Sequence, residues 1–199
     1  MSVLDLLMQQ LDGDAIQQMG NQLGTDQATT SKAVSTALPM LVGALANNTS
    51  QGGGAQALAS ALDRDHDGSI LDDVVGFLGQ GGGSQGMGAG ILKHVLGGRQ
   101  GNVENALGKV AGLDSKQASG LLAMLAPLVM GALAKQKQNG GLDAGGLAGM
   151  LAGDRQRVTN NPQAGSLLQS VIDRDGDGNI ADDIAEIGGG LLSSFFKRR

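Results

Sequence analysis

Two short stretches of the chain carry side chains that could do chemistry. They read Asp63-Arg64-Asp65-His66-Asp67-Gly68-Ser69-Ile70-Leu71-Asp72-Asp73 and Asp173-Arg174-Asp175-Gly176-Asp177-Gly178-Asn179-Ile180-Ala181-Asp182-Asp183. Both follow the spacing D-x-D-x-D-G. In a tightly wound loop alternate residues point inward, so positions one, three and five bring three carboxylates to one point, and glycine at six permits the sharp turn. That chemistry is oxygen coordination of calcium (Ca2+). The candidate ligands are Asp63, Asp65, Asp67, Ser69 through its carbonyl, Asp72 and Asp73. In the second stretch they are Asp173, Asp175, Asp177, Asn179 through its carbonyl, Asp182 and Asp183. Ile70 and Ile180 fall where such loops set an apolar residue against the core. Apolar helical patterns precede each loop (Leu58 and Leu62; Leu168 and Ile172) and follow it (Val74, Phe77 and Leu78; Ile184, Ile187 and Leu191), a helix–loop–helix context.

The spacing is EF-hand-like, with one departure. An EF-hand loop closes with a bidentate Glu at position twelve, where this chain has Val74 and Ile184. The segments resemble the wider D-x-D-x-D-G group that includes dockerins, in which the closing carboxylate varies in place. Either member of the pairs Asp72/Asp73 and Asp182/Asp183 could close the shell, or could cap the exiting helix. The competing reading is a pair of unoccupied acidic loops whose carboxylates only cap helices. Magnesium fits less well because it surrenders its waters reluctantly. Zinc or iron would want His or Cys, and the chain has no Cys and only His66 and His94. His66, at position four, is expected on the surface, and His94 on the polar face of a short helix.

Charge and composition narrow the classes further. The formal net charge is −5, yet each aspartate stretch contributes five Asp and one Arg, or −4, so the rest of the chain is +3. The acidity is local. Glycine supplies 35 of 199 residues without a collagen period, and Leu, Ile, Val and Phe make up about a quarter, enough for a packed core. No Trp, no Tyr and only 3 Phe leave almost nothing to stack on bases or sugars.

Enzyme readings fail on context. Asp173-Arg174-Asp175-Gly176 superficially matches a D-x-D-G phosphatase nucleophile motif, but that motif sits at a strand end, and Ser166 to Ile172 reads as a helix. Carboxylate pairs for glycoside hydrolysis lack aromatic platforms, and the glycine runs lack the flanking strand and Lys-Ser/Thr of a phosphate loop. The chain is expected not to be an enzyme.

The elements that must position these loops read as helices throughout. Leu4, Leu7, Met8 and Leu11 follow helical spacing, with Ser2 capping and Asp5 three residues on. Asp114 followed by Gln117 is a second start signal, and Leu121, Leu122, Leu125, Leu128, Val129 and Ala132 form that helix's apolar face. Pro39 and Pro127 lie inside their patterns and would each kink a long helix or open a new one. Ile91, Leu92, Val95 and Leu96 form a short amphipathic element, as do Val103, Leu107 and Val110. At an offset of 88, Gly24, Asp26, Pro39, Gly43, Ala44, Leu45 and Ala46 match Gly112, Asp114, Pro127, Gly131, Ala132, Leu133 and Ala134. An aspartate loop follows in each half. The reading is therefore a duplication: residues 1–79 with loop 63–73, a Gly-rich linker over 80–90, and residues 91–199 with loop 173–183. The uncharged run Gln117 to Ala134 is long enough to border on a membrane span, but its Gln117, Ser119 and Pro127 favour a buried core helix.

The segments Leu38-Pro39-Met40-Leu41-Val42-Gly43-Ala44-Leu45 and Ala126-Pro127-Leu128-Val129-Met130-Gly131-Ala132-Leu133 resemble the YidB-like family of bacterial proteins of unknown function. The turns Gly24-Thr25-Asp26 and Gly112-Leu113-Asp114 and the first aspartate segment are also similar to that family. The resemblance implies a bacterial source and an all-α, homeodomain-like fold, and lends no catalytic residue. The expectation is a duplicated helical unit with two aspartate loops, binding calcium and acting as a non-catalytic interaction or self-assembly module. Its partner would be another copy of itself, as a homo-oligomer, or another protein. Basic residues form no dense stripe, so no nucleic acid is expected, and membrane association is disfavoured. The alternatives are a nucleic-acid-binding homeodomain-like protein and a membrane-associating helical protein with unoccupied loops. The N-terminus lacks the positive start and apolar core of a signal peptide, which points to the cytoplasm.

Overall fold

Local start and stop signals build the helices. The computed structural model describes residues 2–65, 68–81 and 86–159. Ser2 opens α1 (Val3–Gln10) with a capping box: its Oγ accepts from the Leu4 amide at 3.1 Å, and Asp5 accepts from the Ser2 amide at 3.3 Å. Asp12 accepts from the Ala15 amide at 3.0 Å to start α2 (Gly13–Leu23). Asp26 does the same with the Thr29 amide at 2.9 Å for α3 (Gln27–Thr49). α4 (Gly54–Asp65), a single 3-10 turn (Ser69–Leu71) and α5 (Val74–Gly79) follow. Beyond them lie α6 (Met87–Leu96), a 3-10 turn (Gly97–Arg99) and α7 (Gln100–Ala111). Asp114 and Gln117 form a capping box, with bonds of 2.8 and 3.0 Å, at the start of α8 (Ser115–Gly140). The last described helix is α9 (Ala144–Thr159), whose start Asp143 secures by accepting from the Gly146 amide at 2.8 Å. Among the described residues there is no strand, and the fold is all-α.

The α2–α3 and α7–α8 junctions share one geometry. Gly24 and Gly112 end their helices in the left-handed region at φ 69° and 79°, and Asp26 and Asp114, two residues later, cap the next helix. In each turn the amide two residues before the next helix returns to a glycine carbonyl: Thr25 to Gly20 at 2.9 Å and Leu113 to Gly108 at 3.1 Å. A Cβ at Gly20 or Gly108 would lie 2.9 or 2.8 Å from the carbonyl oxygen of Thr25 or Leu113, so glycine is needed for the chain to fold back that closely.

Neither proline opens a new helix. α3 runs through Pro39 and α8 through Pro127. A proline has no N–H to give the carbonyl four residues back. Behind Pro127 that carbonyl belongs to Ala123, and Gly88 of α6 approaches it so closely that a Cβ on Gly88 would overlap its oxygen. The contact suits a weak Cα–H···O interaction with an acceptor that proline left unpaired.

α3 and α8 are buried around most of their circumference over Ala33–Ala46 and Leu121–Ala134, as expected for helices that are apolar on every side. They pack on each other and are sheathed by α1, α2, α4, α6, α7 and α9. α8 is long and apolar enough to cross a membrane, but 83% of its most apolar window is buried inside the protein, so its apolar surface is spent on the core. Core side chains from both sides of residue 80 join one apolar cluster. Val103 and Leu107 of α7 and Leu92, Val95 and Leu96 of α6 enter it, while Val110 is only half-buried. The N-terminus is tied in from the far end of the described chain: Asp154 of α9, 3% exposed, accepts the amide of Val3 at 3.0 Å.

Candidate functional site

The aspartate segment lies across α8. A Cβ on Gly68, whose φ is +85°, would sit 3.2 Å from the Gly131 carbonyl oxygen and 3.3 Å from the Lys135 amide nitrogen. Glycine there serves both the left-handed turn and a close approach to the backbone of α8. Gly131 answers it, since a Cβ on Gly131 would collide with Cγ2 of Ile70. Ile70 is half-buried against the core, and Leu71 beside it is 3% exposed. The expectation that an apolar residue after the glycine anchors the segment is met.

Among the described residues, the carboxylates of the first segment do not converge. Asp63, in the last turn of α4, is an exposed ion-pair partner of Lys137. Asp65 ends the same helix. A helical backbone turns about 100° per residue, so alternate residues on it cannot face one point. Ser69 begins the 3-10 turn, Asp72 pairs with Lys135 at 2.7 Å, and Asp73 caps α5 by accepting from the Gly76 amide at 2.8 Å. Asp67 lies outside the described residues, as do Asp173, Asp175, Asp177, Asn179, Asp182 and Asp183, and with them the whole second segment.

Among the described residues no group of three or more His, Cys, Asp or Glu side chains is placed to hold a metal ion. This overturns the calcium reading: calcium as cofactor, the EF-hand-like loop as a metal site and a function resting on the ion are all corrected. The physical reason is visible in the first segment. Helix α4 runs into positions one and three of the motif, and the charge an ion would have neutralised is met by two lysines of α8 and a helix N-terminus. Both ion pairs are solvent-exposed on the aspartate side, 62% for Asp63 and 70% for Asp72, so each contributes at most about 1 kcal/mol. They orient the segment more than they hold it.

Lys135 and Lys137 are the residues that sequence reasoning missed. Taken singly they looked like scattered surface charges. The available signal was the balance itself, a −4 stretch in a chain otherwise +3, which asks for nearby cations. His94 is exposed on α6, in keeping with a polar-face residue. The remaining described carboxylates, the exposed Asp14 apart, serve structure as well. Asp5, Asp12, Asp26, Asp114 and Asp143 cap helices, Asp154 holds the Val3 amide, and Glu104 accepts from Gln100 at 2.8 Å. Asp26 is held below the ordinary aspartate pKa by the Thr29 hydroxyl at 2.6 Å and then by the Thr29 amide.

A family model described as bacterial protein of unknown function (DUF937) matches residues 5–136. It replaces the YidB-like resemblance as the family assignment. No curated protein matches the chain. No solved structure matches it either.

Proposed function

The chain belongs to the DUF937 family of bacterial proteins of unknown function, and on that premise we propose a non-catalytic helical protein, built from two copies of one unit, that works by association. The observation that carries the reading is how the carboxylates are used. Of those with described side chains, all but the exposed Asp14 accept a helix-capping amide, a lysine, the Val3 amide or the Gln100 side chain. Acid–base work needs a carboxylate poised for substrate rather than committed to the fold.

Duplication is supported by the paired junctions. Gly20, Gly24 and Asp26 recur as Gly108, Gly112 and Asp114 with the same capping, the same left-handed glycine and the same backbone return. A proline follows thirteen residues after each capping aspartate, in mid-helix. In this reading residues 1–79 and 91–199 descend from one ancestor and interleave their core helices, so neither half is an independent folding unit.

Association is supported by the few large apolar side chains that, among the described residues, the core leaves outside: Met8 at 56% exposure, Val75 at 42% and Met87 at 58%. Methionine adapts to varied partners and is enriched at interfaces. We assign the partner to a second copy of this chain. Light scattering on the full chain in chelator should give a mass above the 20.0 kDa monomer, and Met8→Ser with Met87→Ser should return it to monomer. A monomer at every concentration in the unaltered chain would overturn self-association.

A further inference from the structure

An opening with an apolar floor lies where the C-terminal end of α3 meets α4 and α6. Its volume is about 590 Å³, within the range of roughly 300–1,000 Å³ that accommodates small ligands. Leu45, Leu58, Val95 and Met130 line it and are each no more than 9% exposed, so they form its buried wall. Arg64 and His94, both exposed, line it from α4 and α6. No carboxylate is among its described lining residues.

Small residues keep this space open. α4 presents Ala57 and Ala61, one turn apart, and α6 presents Gly90, where a Cβ would meet nothing within 4 Å. Larger side chains at these places would fill the gap, as the close packing of protein interiors ordinarily requires. Arg64 gives its Nε–H to the Ser60 carbonyl at 3.3 Å, which orients the guanidinium and leaves its terminal nitrogens without a partner among the described residues. Asn48 fastens the opposite wall, donating to the Val95 carbonyl at 2.8 Å.

We propose that this cavity binds a medium-chain fatty acid, its alkyl chain against Leu45, Leu58, Val95 and Met130 and its carboxylate on Arg64 and His94. An apolar wall with cationic and imidazole groups at the mouth, and no carboxylate among the described lining residues, is complementary to one amphipathic monoanion. The flexible thioether of Met130 adapts to the chain terminus. A carboxylate–guanidinium bond is of the charge-assisted kind, for which replacing the guanidinium costs about tenfold or more in affinity.

The test is calorimetric titration of the full chain with decanoate below its micelle concentration, with 1-decanol and acetate as companions. Decanoate is expected to bind, decanol at least about tenfold more weakly, and acetate not measurably. Arg64→Gln should weaken decanoate about tenfold while leaving the melting temperature unchanged, because Arg64 is exposed. Ala61→Phe should abolish binding by occupying the space, again with an unchanged helical spectrum. Equal binding of decanoate and decanol, or decanoate binding indifferent to both substitutions, overturns the proposal. So does the absence of decanoate binding by the folded chain.

Discussion

Gly68 gives the sharpest test of how the aspartate segment is held. Replacing it by Ala imposes two costs. The first is the left-handed conformation: at φ +85° an L-residue carries a penalty of about 1–2 kcal/mol. The second is steric, because the new Cβ would stand 3.2 Å from the Gly131 carbonyl oxygen and 3.3 Å from the Lys135 amide nitrogen. Both neighbours are backbone atoms of a buried helix, which cannot yield as a side-chain tip can, and overpacking of this kind costs about 1–3 kcal/mol. Gly24→Ala and Gly112→Ala isolate the first cost, since their φ values are 69° and 79° and a Cβ at either would meet nothing within 4 Å. The entropy that alanine removes from the unfolded chain is common to all three variants and cancels. Urea unfolding should therefore place Gly24→Ala and Gly112→Ala about 1–2 kcal/mol below the unaltered protein, and Gly68→Ala about 1–3 kcal/mol below those. In a chain of this length each kcal/mol lowers Tm by about 2–4 °C, so the difference is measurable. Equal losses at all three glycines, with unchanged m-values, would refute the docking of the segment on α8.

Three further outcomes follow from the same contacts. Asp154→Ala removes the acceptor of the buried Val3 amide and should destabilise the chain by about 1–3 kcal/mol, with faster hydrogen exchange at Val3; unchanged exchange would sink the tether. Chelator or added calcium should leave the melting temperature unchanged, because lysines and a helix end already satisfy Asp63, Asp72 and Asp73; a calcium-dependent rise would restore the ion. Asp26 has a depressed folded-state pKa, so its contribution to stability is complete above the unfolded pKa and is lost as pH falls through the lower folded value. Thr29→Val removes the largest cause and should move the Asp26 carboxyl titration, followed by NMR, upward toward the ordinary aspartate value.

The helices were legible because their signals are local. Ser2 with Asp5 and Asp114 with Gln117 are capping boxes that can be read within four residues, and both form as expected. The burial of α8 was legible from Gln117 to Ala134 because a helix that is apolar all round has to be covered on every side. The two prolines were harder. Both helices continue through their prolines, and the carbonyl freed by Pro127 is approached by Gly88, far away in the chain, a contact that no local pattern announces.

By itself the sequence determined an all-helical chain with a dense core, helix starts at named aspartates and turns at named glycines, since capping and left-handed backbone conformations are properties of a few consecutive residues. Only the tertiary structure decided what the described aspartates of the first segment do. The same D-x-D-x-D-G spacing gives a metal shell when the loop winds on itself, and a string of caps and ion pairs when a preceding helix extends into it and lysines of another helix lie alongside. The geometry of α4 together with Lys135 and Lys137 selects the second, because an arrangement of charges is fixed by which elements pack together and not by their spacing along the chain.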